Sequence, residues 1–321
     1  MRLLVTDIFK CDIVLSYLYA ILELIMIDKL EASNMHYADY KSILSTQNGI
    51  NLYRGCTHGC IYCDSRSTCY QMKHEFEDIE VKRNAPLILE EQLHRKRKKC
   101  MIGTGAMSDP YIHLEEELQL TRQCISMIEK YGFGLTILTK SSRILRDLDL
   151  LKSINKKTKC VVQMTLTTYD EHLCRKIEPN VSTTLERVSV LNIMKDEGIP
   201  TVVWLGPILP FINDTEDNLK GILDYCVKAN VRGIVCFGFG VTMREGNREH
   251  FYKQIDKLFP GMKKEYIRTF GNSYVCDSPN HNRLMSIFSE VCEKYDILWK
   301  PDDVFSYLKQ FEEKEQQLSL F

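Results

Sequence analysis

The sequence predicts an α/β fold built on a parallel sheet, and two patterns carry that prediction. The first is a set of short runs, continuously apolar and rich in β-branched residues: Cys100-Met101-Ile102-Gly103, Leu135-Thr136-Ile137-Leu138-Thr139, Cys160–Leu166, Thr201–Leu205 and Gly233–Phe237. Strands covered on both faces look like this, whereas strands with one wet face alternate. The second is the amphipathic sequence between those runs. Leu145, Leu148 and Leu151 recur at three-residue steps, as do Leu185, Val188 and Leu191, and Leu219, Ile222, Leu223 and Cys226 mark a further stripe. Such stripes face a core. Strand, helix, strand at a spacing of roughly thirty residues is the βαβ rhythm. With a first strand at Gly49–Tyr53, six such units can be counted.

Directly after that first strand comes Gly55-Cys56-Thr57-His58-Gly59-Cys60-Ile61-Tyr62-Cys63-Asp64. A short loop of this kind can wrap an iron–sulfur cube and supply thiolates to three of its irons. The two glycines let the backbone pass close and take turns that a Cβ would obstruct. Three thiolates for four irons leave one iron open, which points to chemistry rather than electron storage. Zinc would need a fourth ligand, and His58 is too near in sequence to fold back onto the same tetrahedral ion. With the aromatic Tyr62 just before the last cysteine, the motif resembles the signature of the radical S-adenosylmethionine (SAM) superfamily. The resemblance implies a [4Fe-4S] cluster on Cys56, Cys60 and Cys63, with SAM chelating the open iron through its amino and carboxylate groups. It implies a low-potential electron donor and reductive cleavage of SAM to a 5′-deoxyadenosyl radical. It further implies that the six units curve into an open partial (β/α)6 TIM-like barrel, with ligands at the carboxyl ends of the strands.

Those strand ends hold the remaining candidates. Gly103-Thr104-Gly105-Ala106-Met107-Ser108-Asp109-Pro110-Tyr111 follows the second strand. Its small residues admit a ligand, and Ser108 and Asp109 can hydrogen-bond an ammonium or a ribose, although an ordinary βα turn favours Gly, Asp and Pro as well. Lys140 ends the third strand, where it can pair with a cofactor carboxylate or simply begin the next helix in solvent. The fourth strand carries Thr165, Thr167 and Thr168, whose hydroxyls alternate in and out. Together with Ile177-Glu178-Pro179-Asn180, these residues resemble the spore photoproduct lyase-like branch, from about Ser42 to Leu308. On that resemblance Ser108, Asp109 and Lys140 hold SAM, Thr165 sits beside them, and Tyr62 fills the family's aromatic position.

Two departures limit the likeness. The lyase has a hydrogen-donating cysteine just ahead of its Thr-Ser-Asp, where this chain reads Ala106-Met107-Ser108-Asp109, and a tyrosine after the third cluster cysteine, where this chain has Asp64. Without that donor pair the lyase's route to quenching a product radical is closed, so repair of spore photoproduct itself is not expected. Cys236, at a strand end, and Cys276 are the substitute donors the sequence offers; a buried structural thiol is the alternative for each.

The chain has 321 residues and a formal net charge of −1, so no global basic field announces a nucleic-acid partner or excludes one. Its 13 cysteines are scattered apart from the motif, which suits free thiols in a reducing cytoplasm rather than a secreted disulfide scaffold. The run Ile13–Ile27 is interrupted by Glu23 and short for a membrane span, so residues 1–34 read as an extension or a misassigned start ahead of Met35. The rest divides into a barrel domain over 35–300 and a helical tail over 301–321, with a polar helical run expected at Tyr307–Gln316. Arg95–Lys99 is a dense basic run, more in keeping with a solvated helix end than with a DNA track. The terminal Gln317-Leu318-Ser319-Leu320-Phe321 resembles the short peptide by which bacterial repair proteins bind the sliding clamp. There Gln317 would bond the rim, and Leu318, Leu320 and Phe321 would fill an apolar groove. The function expected is therefore a cytoplasmic radical SAM enzyme acting on a DNA lesion or modified base, tethered to the clamp. Its rivals are radical modification of RNA or a small molecule, and a non-catalytic clamp-binding or redox protein with a structural cluster.

Overall fold

The computed structural model describes residues 34–314; the N-terminal extension up to residue 33 and the terminal pentapeptide Gln317–Phe321 lie outside the described residues. The strands, in chain order, are β1 (Met35–Ala38), β2 (Gly49–Ile50), β3 (Tyr53–Arg54), β4 (Ile79–Lys82), β5 (Met101–Thr104), β6 (Gly134–Thr139), β7 (Cys160–Leu166), β8 (Thr201–Leu205), β9 (Gly233–Val235), β10 (Gly240–Thr242) and β11 (Val275–Asp277). β2, β5, β6, β7, β8 and β9 form one parallel six-stranded sheet in that order. Neighbouring in space the order they have in sequence, with a helical stretch returning between successive strands, these are the six βα units of an open barrel. β7 is buried along its whole length, as its unbroken apolar run requires.

The predicted first strand is split. Gly49–Ile50 pairs with β5, but Tyr53–Arg54 turns away to pair antiparallel with β4 in a small β1-β4-β3 sheet. That turn delivers the cysteine loop to the mouth of the barrel. The helical stripes are largely as expected. Leu219, Ile222, Leu223 and Cys226 are all buried on helix Glu216–Lys228. Leu145 falls in a tight turn, Ser142–Asp147, that leads into helix Leu148–Lys157. On helix Thr184–Asp196, Val188 and Leu191 are buried but Leu185 is 51% exposed. The buried face there runs through Thr184, Arg187 and Leu191, and Leu185 lies to one side of it.

Beyond β9 the chain builds a cap. β10 and β11 pair antiparallel, and helices Asn247–Leu258 and Met262–Phe270 bury Phe251, Tyr266 and Cys276 against Ile61 and Tyr62 of the cysteine loop. The last helix, Pro301–Lys309, presses Val304 and Leu308 onto Val161, Val202 and Val235. It stops well before Gln316, and residues 310–314 leave the helical path. Lys314 N–H donates to the carbonyl of Lys157, and Lys159 Nζ pairs with Glu312 at 2.8 Å, so the chain is held at the amino ends of the strands. Helix Ala85–Arg95 ends inside the basic run, leaving its lysines beyond the last turn. No helix among the described residues is long and apolar enough to cross a membrane.

One backbone crossing is especially tight. Gly105 has φ +98°, and a Cβ there would lie 1.9 Å from the carbonyl oxygen of Leu138. Gly132 shares a left-handed conformation (φ +65°) with nothing within 4 Å of its would-be Cβ. Gly105→Ala should therefore cost about 2–4 kcal/mol, strain and clash together, and Gly132→Ala only about 1–2 kcal/mol, when both are compared by denaturant unfolding.

Candidate active site

The cysteine loop is clamped by backbone before any side chain is considered. Cys56 N–H donates to the carbonyl of Phe76 at 3.2 Å, and Ile61 N–H to the carbonyl of Ile177 at 3.0 Å. Asn180 N–H donates to the carbonyl of His58, and its side-chain amide to that of Thr57. The two glycines permit these approaches. At Gly55 (φ +89°) a Cβ would meet the Phe76 oxygen at 2.5 Å, and at Gly59 (φ +70°) it would lie 3.1 Å from Pro179 and Asn180. Their smallness thus lets the loop press on its own protein as well as turn.

Beneath the loop lies a buried polar network. Tyr62 donates its hydroxyl to Glu178, and the other Glu178 oxygen accepts from Arg187 at 2.6 Å and from Thr167 at 3.1 Å. Arg187 and Glu178 side chains are both fully buried. Arg187 also donates to the carbonyls of Ser182 (2.7 Å) and Thr165 (3.1 Å), so its charge is spread over several acceptors. Burial works against the Glu178 carboxylate, but Arg187, Lys140 and the donated hydrogen bonds outweigh it and hold its pKa below the usual value. Burial likewise works against the Lys140 ammonium, and negative charge on the neighbouring Cys60, as a thiolate, and on the Glu178 carboxylate lifts its pKa above normal.

Cys56, Cys60 and Cys63 line a cavity of about 600 Å³ at the carboxyl ends of the strands, together with Tyr62, Ser108, Asp109, Lys140 and Thr165. Burial pushes the Cys56 thiol up to about 12, with Asp109 and Cys63 adding to it, and burial raises Cys60 as well. Such thiols stay protonated until a bound cation displaces the protons. Among the described residues, His36, His74 and Glu80 are the one trio of His, Cys, Asp or Glu donors within 4.8 Å of one another. His58 is held neutral, its pKa lowered to about 4 by burial against the opposing pull of Asp109 at 3.6 Å; its Nε2 is buried without a partner.

Ser108 donates to the carbonyl of Gly55 at 2.5 Å, tying the β5 loop to the cysteine loop. Asp109 is occupied as a strut: it accepts from Tyr111 N–H (2.8 Å), the Thr139 hydroxyl (2.7 Å) and Lys140 N–H (2.7 Å). Cys236 and Cys276 are not brought in. Both are buried, and neither thiol lines the cavity; Cys236 Sγ faces the carbonyl of Gly238 and Cys276 Sγ that of Ser273. Their buried, structural state is what burial of free thiols ordinarily means.

The opposite wall was not read from the sequence. Trp204 stands on β8 with Phe237 edge-on to it, ring centres 6.1 Å apart, and Phe237 is 71% exposed. Arg244 spans Tyr70 and Tyr274, with Nη groups 3.1 and 2.9 Å from their hydroxyls. Tyr70 donates in turn to Asp64 at 2.9 Å. The exposed thiol of Cys69 lies 3.4 Å from Arg244. Trp204 and Phe237 belong to runs read as strands, whose continuous apolar character does not show which side chain faces a ligand; Tyr70, Arg244 and Tyr274 come from segments with no periodic pattern, so only Asp64, beside the cysteines, carried a signal of its own. Arg187 did carry one: a charge on the apolar stripe of its helix.

The Radical SAM superfamily description matches residues 50–226, more than half of the chain. The chain belongs to the radical SAM superfamily, whose members bind a [4Fe-4S] cluster and SAM. An uncharacterized protein of Mycobacterium tuberculosis is 28% identical over 230 residues, which are 68% of this chain and 65% of that protein. The match therefore spans slightly less than two thirds of that relative's length. An uncharacterized protein of Methanocaldococcus jannaschii is 33% identical over 169 residues, 52% of this chain and 62% of that protein. Among solved structures, a spore photoproduct lyase mutant with bound AdoMet and dinucleoside spore photoproduct aligns with a TM-score of 0.57 and 14% identity, over 81% of this chain and 79% of that one. At that identity the likeness is one of fold.

Breaking the buried pair tests the network. Arg187→Met alone should destabilise by about 3–5 kcal/mol, because it strands the Glu178 carboxylate, and adding Glu178→Gln should restore part of the loss. Denaturant unfolding of the two single variants and the double variant measures this.

Proposed function

We propose that this chain is a radical SAM enzyme that acts on DNA at a lesion or modified base, by a route other than that of spore photoproduct lyase. One observation carries the reading: three grouped thiols open onto a cavity whose far wall and rim are aromatic and cationic. Cys56, Cys60 and Cys63 would hold the cluster, and Lys140, Thr165, Ser108 and Tyr62 would hold SAM. When bound, these cofactors supply one-electron chemistry that abstracts hydrogen from a substrate. The residues of the chain do the rest. The Lys140 ammonium offers a charge for a carboxylate, and Asp109 fixes that lysine through its backbone N–H. The Tyr62–Glu178–Arg187 network keeps the loop from shifting, and neutral His58 places no charge beside the thiols.

The rim supports a nucleic-acid substrate. Exposed Phe237 beside Trp204 offers a face for stacking an unpaired base, and Arg244 between two tyrosines offers a cation for phosphate. A dinucleoside bound in a structure of similar fold agrees with an occupant of this size. Ala106 stands two residues ahead of Ser108 where the lyase pattern has its thiol, which favours a different quenching step. The tail Gln317–Phe321 would join the enzyme to the sliding clamp. The described chain runs up to this tail at the amino ends of the strands, with Lys314 beside Lys157 and Glu312 beside Lys159.

Anoxic reconstituted protein given SAM and a strong reductant should release 5′-deoxyadenosine, and Cys60→Ala should reduce release to background. Irradiated DNA should raise the yield of modified product where RNA does not; an equal response to both would overturn the DNA assignment. Deleting Gln317–Phe321 should abolish capture of the purified bacterial sliding clamp, and undiminished capture would remove the tether.

A further inference from the structure

On the small sheet behind the cysteine loop, two histidines and a glutamate converge at a point that the cavity does not use. His36 on β1 and Glu80 on β4 are direct partners in the parallel register. His74 enters from the turn that precedes β4. One donor atom from each lies within 4.8 Å of the other two.

The hydrogen bonding behind each donor separates this trio from a chance cluster. His36 Nδ1 lies 3.0 Å from an Asp78 oxygen, a group that accepts the ring N–H, so Nε2 is the nitrogen left facing Glu80 Oε2, 3.8 Å away. His74 Nδ1 lies 3.0 Å from the carbonyl of Glu75, a group that can only accept, so Nδ1 carries the proton there too. His74 Nε2 is left buried with no hydrogen-bond partner, a state that costs free energy unless something binds it. The remaining Glu80 oxygen accepts from the Tyr40 hydroxyl. Each side chain is thus held from behind, with a further donor atom within 4.8 Å of those of the other two. Metal-ligating imidazoles are oriented in this way, their outer nitrogen donating to a carboxylate or carbonyl.

We propose that His36, His74 and Glu80 form a binding site for a divalent first-row metal ion of the zinc class. Two neutral imidazoles and a carboxylate suit that ion, and the 40% exposure of the His36 side chain admits water as the fourth ligand. The ion joins β1, β4 and the turn between His74 and Asp78. That turn carries Phe76, whose carbonyl accepts from Cys56 N–H, and Glu77, which pairs with Arg66. The site therefore braces the support beneath the first cysteine of the loop.

The test uses the full chain, purified anoxically with its cluster in place and dialysed against Zn²⁺. One zinc per chain should be retained in addition to the iron, with nitrogen and oxygen neighbours at about 2.0–2.2 Å by X-ray absorption. His74→Ala and Glu80→Gln should lose retention, and Asp78→Asn should weaken binding by about 10–100-fold. Added zinc should raise the Tm of the wild type but not of His74→Ala. The proposal is overturned if the wild type retains no zinc, if retention survives the His36→Ala/His74→Ala double variant, or if sulfur at about 2.3 Å shows that the ion sits on the cluster cysteines. The absorption measurement needs only the wild type, so it stands even if a variant fails to fold.

Discussion

The ion pair of Arg187 with Glu178 is the contact on which the candidate site depends. Two opposite charges with no access to water are tolerated because each has several partners: Tyr62, Thr167 and Lys140 around the carboxylate, and backbone carbonyls around the guanidinium. The pair links three pieces that share no secondary structure: the cysteine loop through Tyr62, the end of β7 through the Thr165 carbonyl, and the helix that carries Arg187. A loop that must present three thiols at a fixed spread cannot rely on its own short backbone. It takes rigidity from this network below, from the Ile177–Asn180 segment on one flank and from the Phe76 turn on the other.

The barrel and the cap divide the remaining work. The parallel sheet supplies strand ends and their small, hydrogen-bonding residues; the antiparallel pair of β10 and β11, with the two helices between them, closes over the cysteine loop and contributes part of the opposite wall. One wall is accordingly thiol, hydroxyl and ammonium, and the other aromatic with a guanidinium at its rim. Asp109 shows how such a site economises on flexibility. Its carboxylate makes the turn after β5, the end of β6 and the approach to His58 into one unit, which leaves it little capacity for a ligand.

Much of this was legible in the residues. The continuous apolar runs located the five longer strands of the sheet within a residue or two, because a strand covered on both faces has no reason to alternate. The cysteine spacing located the loop, and Ser108, Lys140 and Thr165, picked out at strand ends, line the same cavity as the cysteines. The break between β2 and β3 was not legible, since two-residue strands leave no period to detect. Cys236 read as a candidate donor because it lies at a strand end, with Cys276 as a second free thiol, but a short strand can turn a side chain into the core as easily as into a site.

By itself, the sequence determined the chain's class: the order of buried strands and amphipathic helices, and a glycine-bracketed cysteine triplet, follow from local period and spacing that survive any tertiary arrangement. Tertiary structure alone decided which residues share a wall. Arg187 and Glu178, Trp204 and Phe237, Tyr70 and Arg244, and His36 with His74 and Glu80 come together only when the barrel closes and the small sheet packs behind it. The physical reason is that burial and pairing are properties of neighbours in space, and separations such as the 174 residues between Tyr70 and Arg244 carry no trace in a one-dimensional pattern.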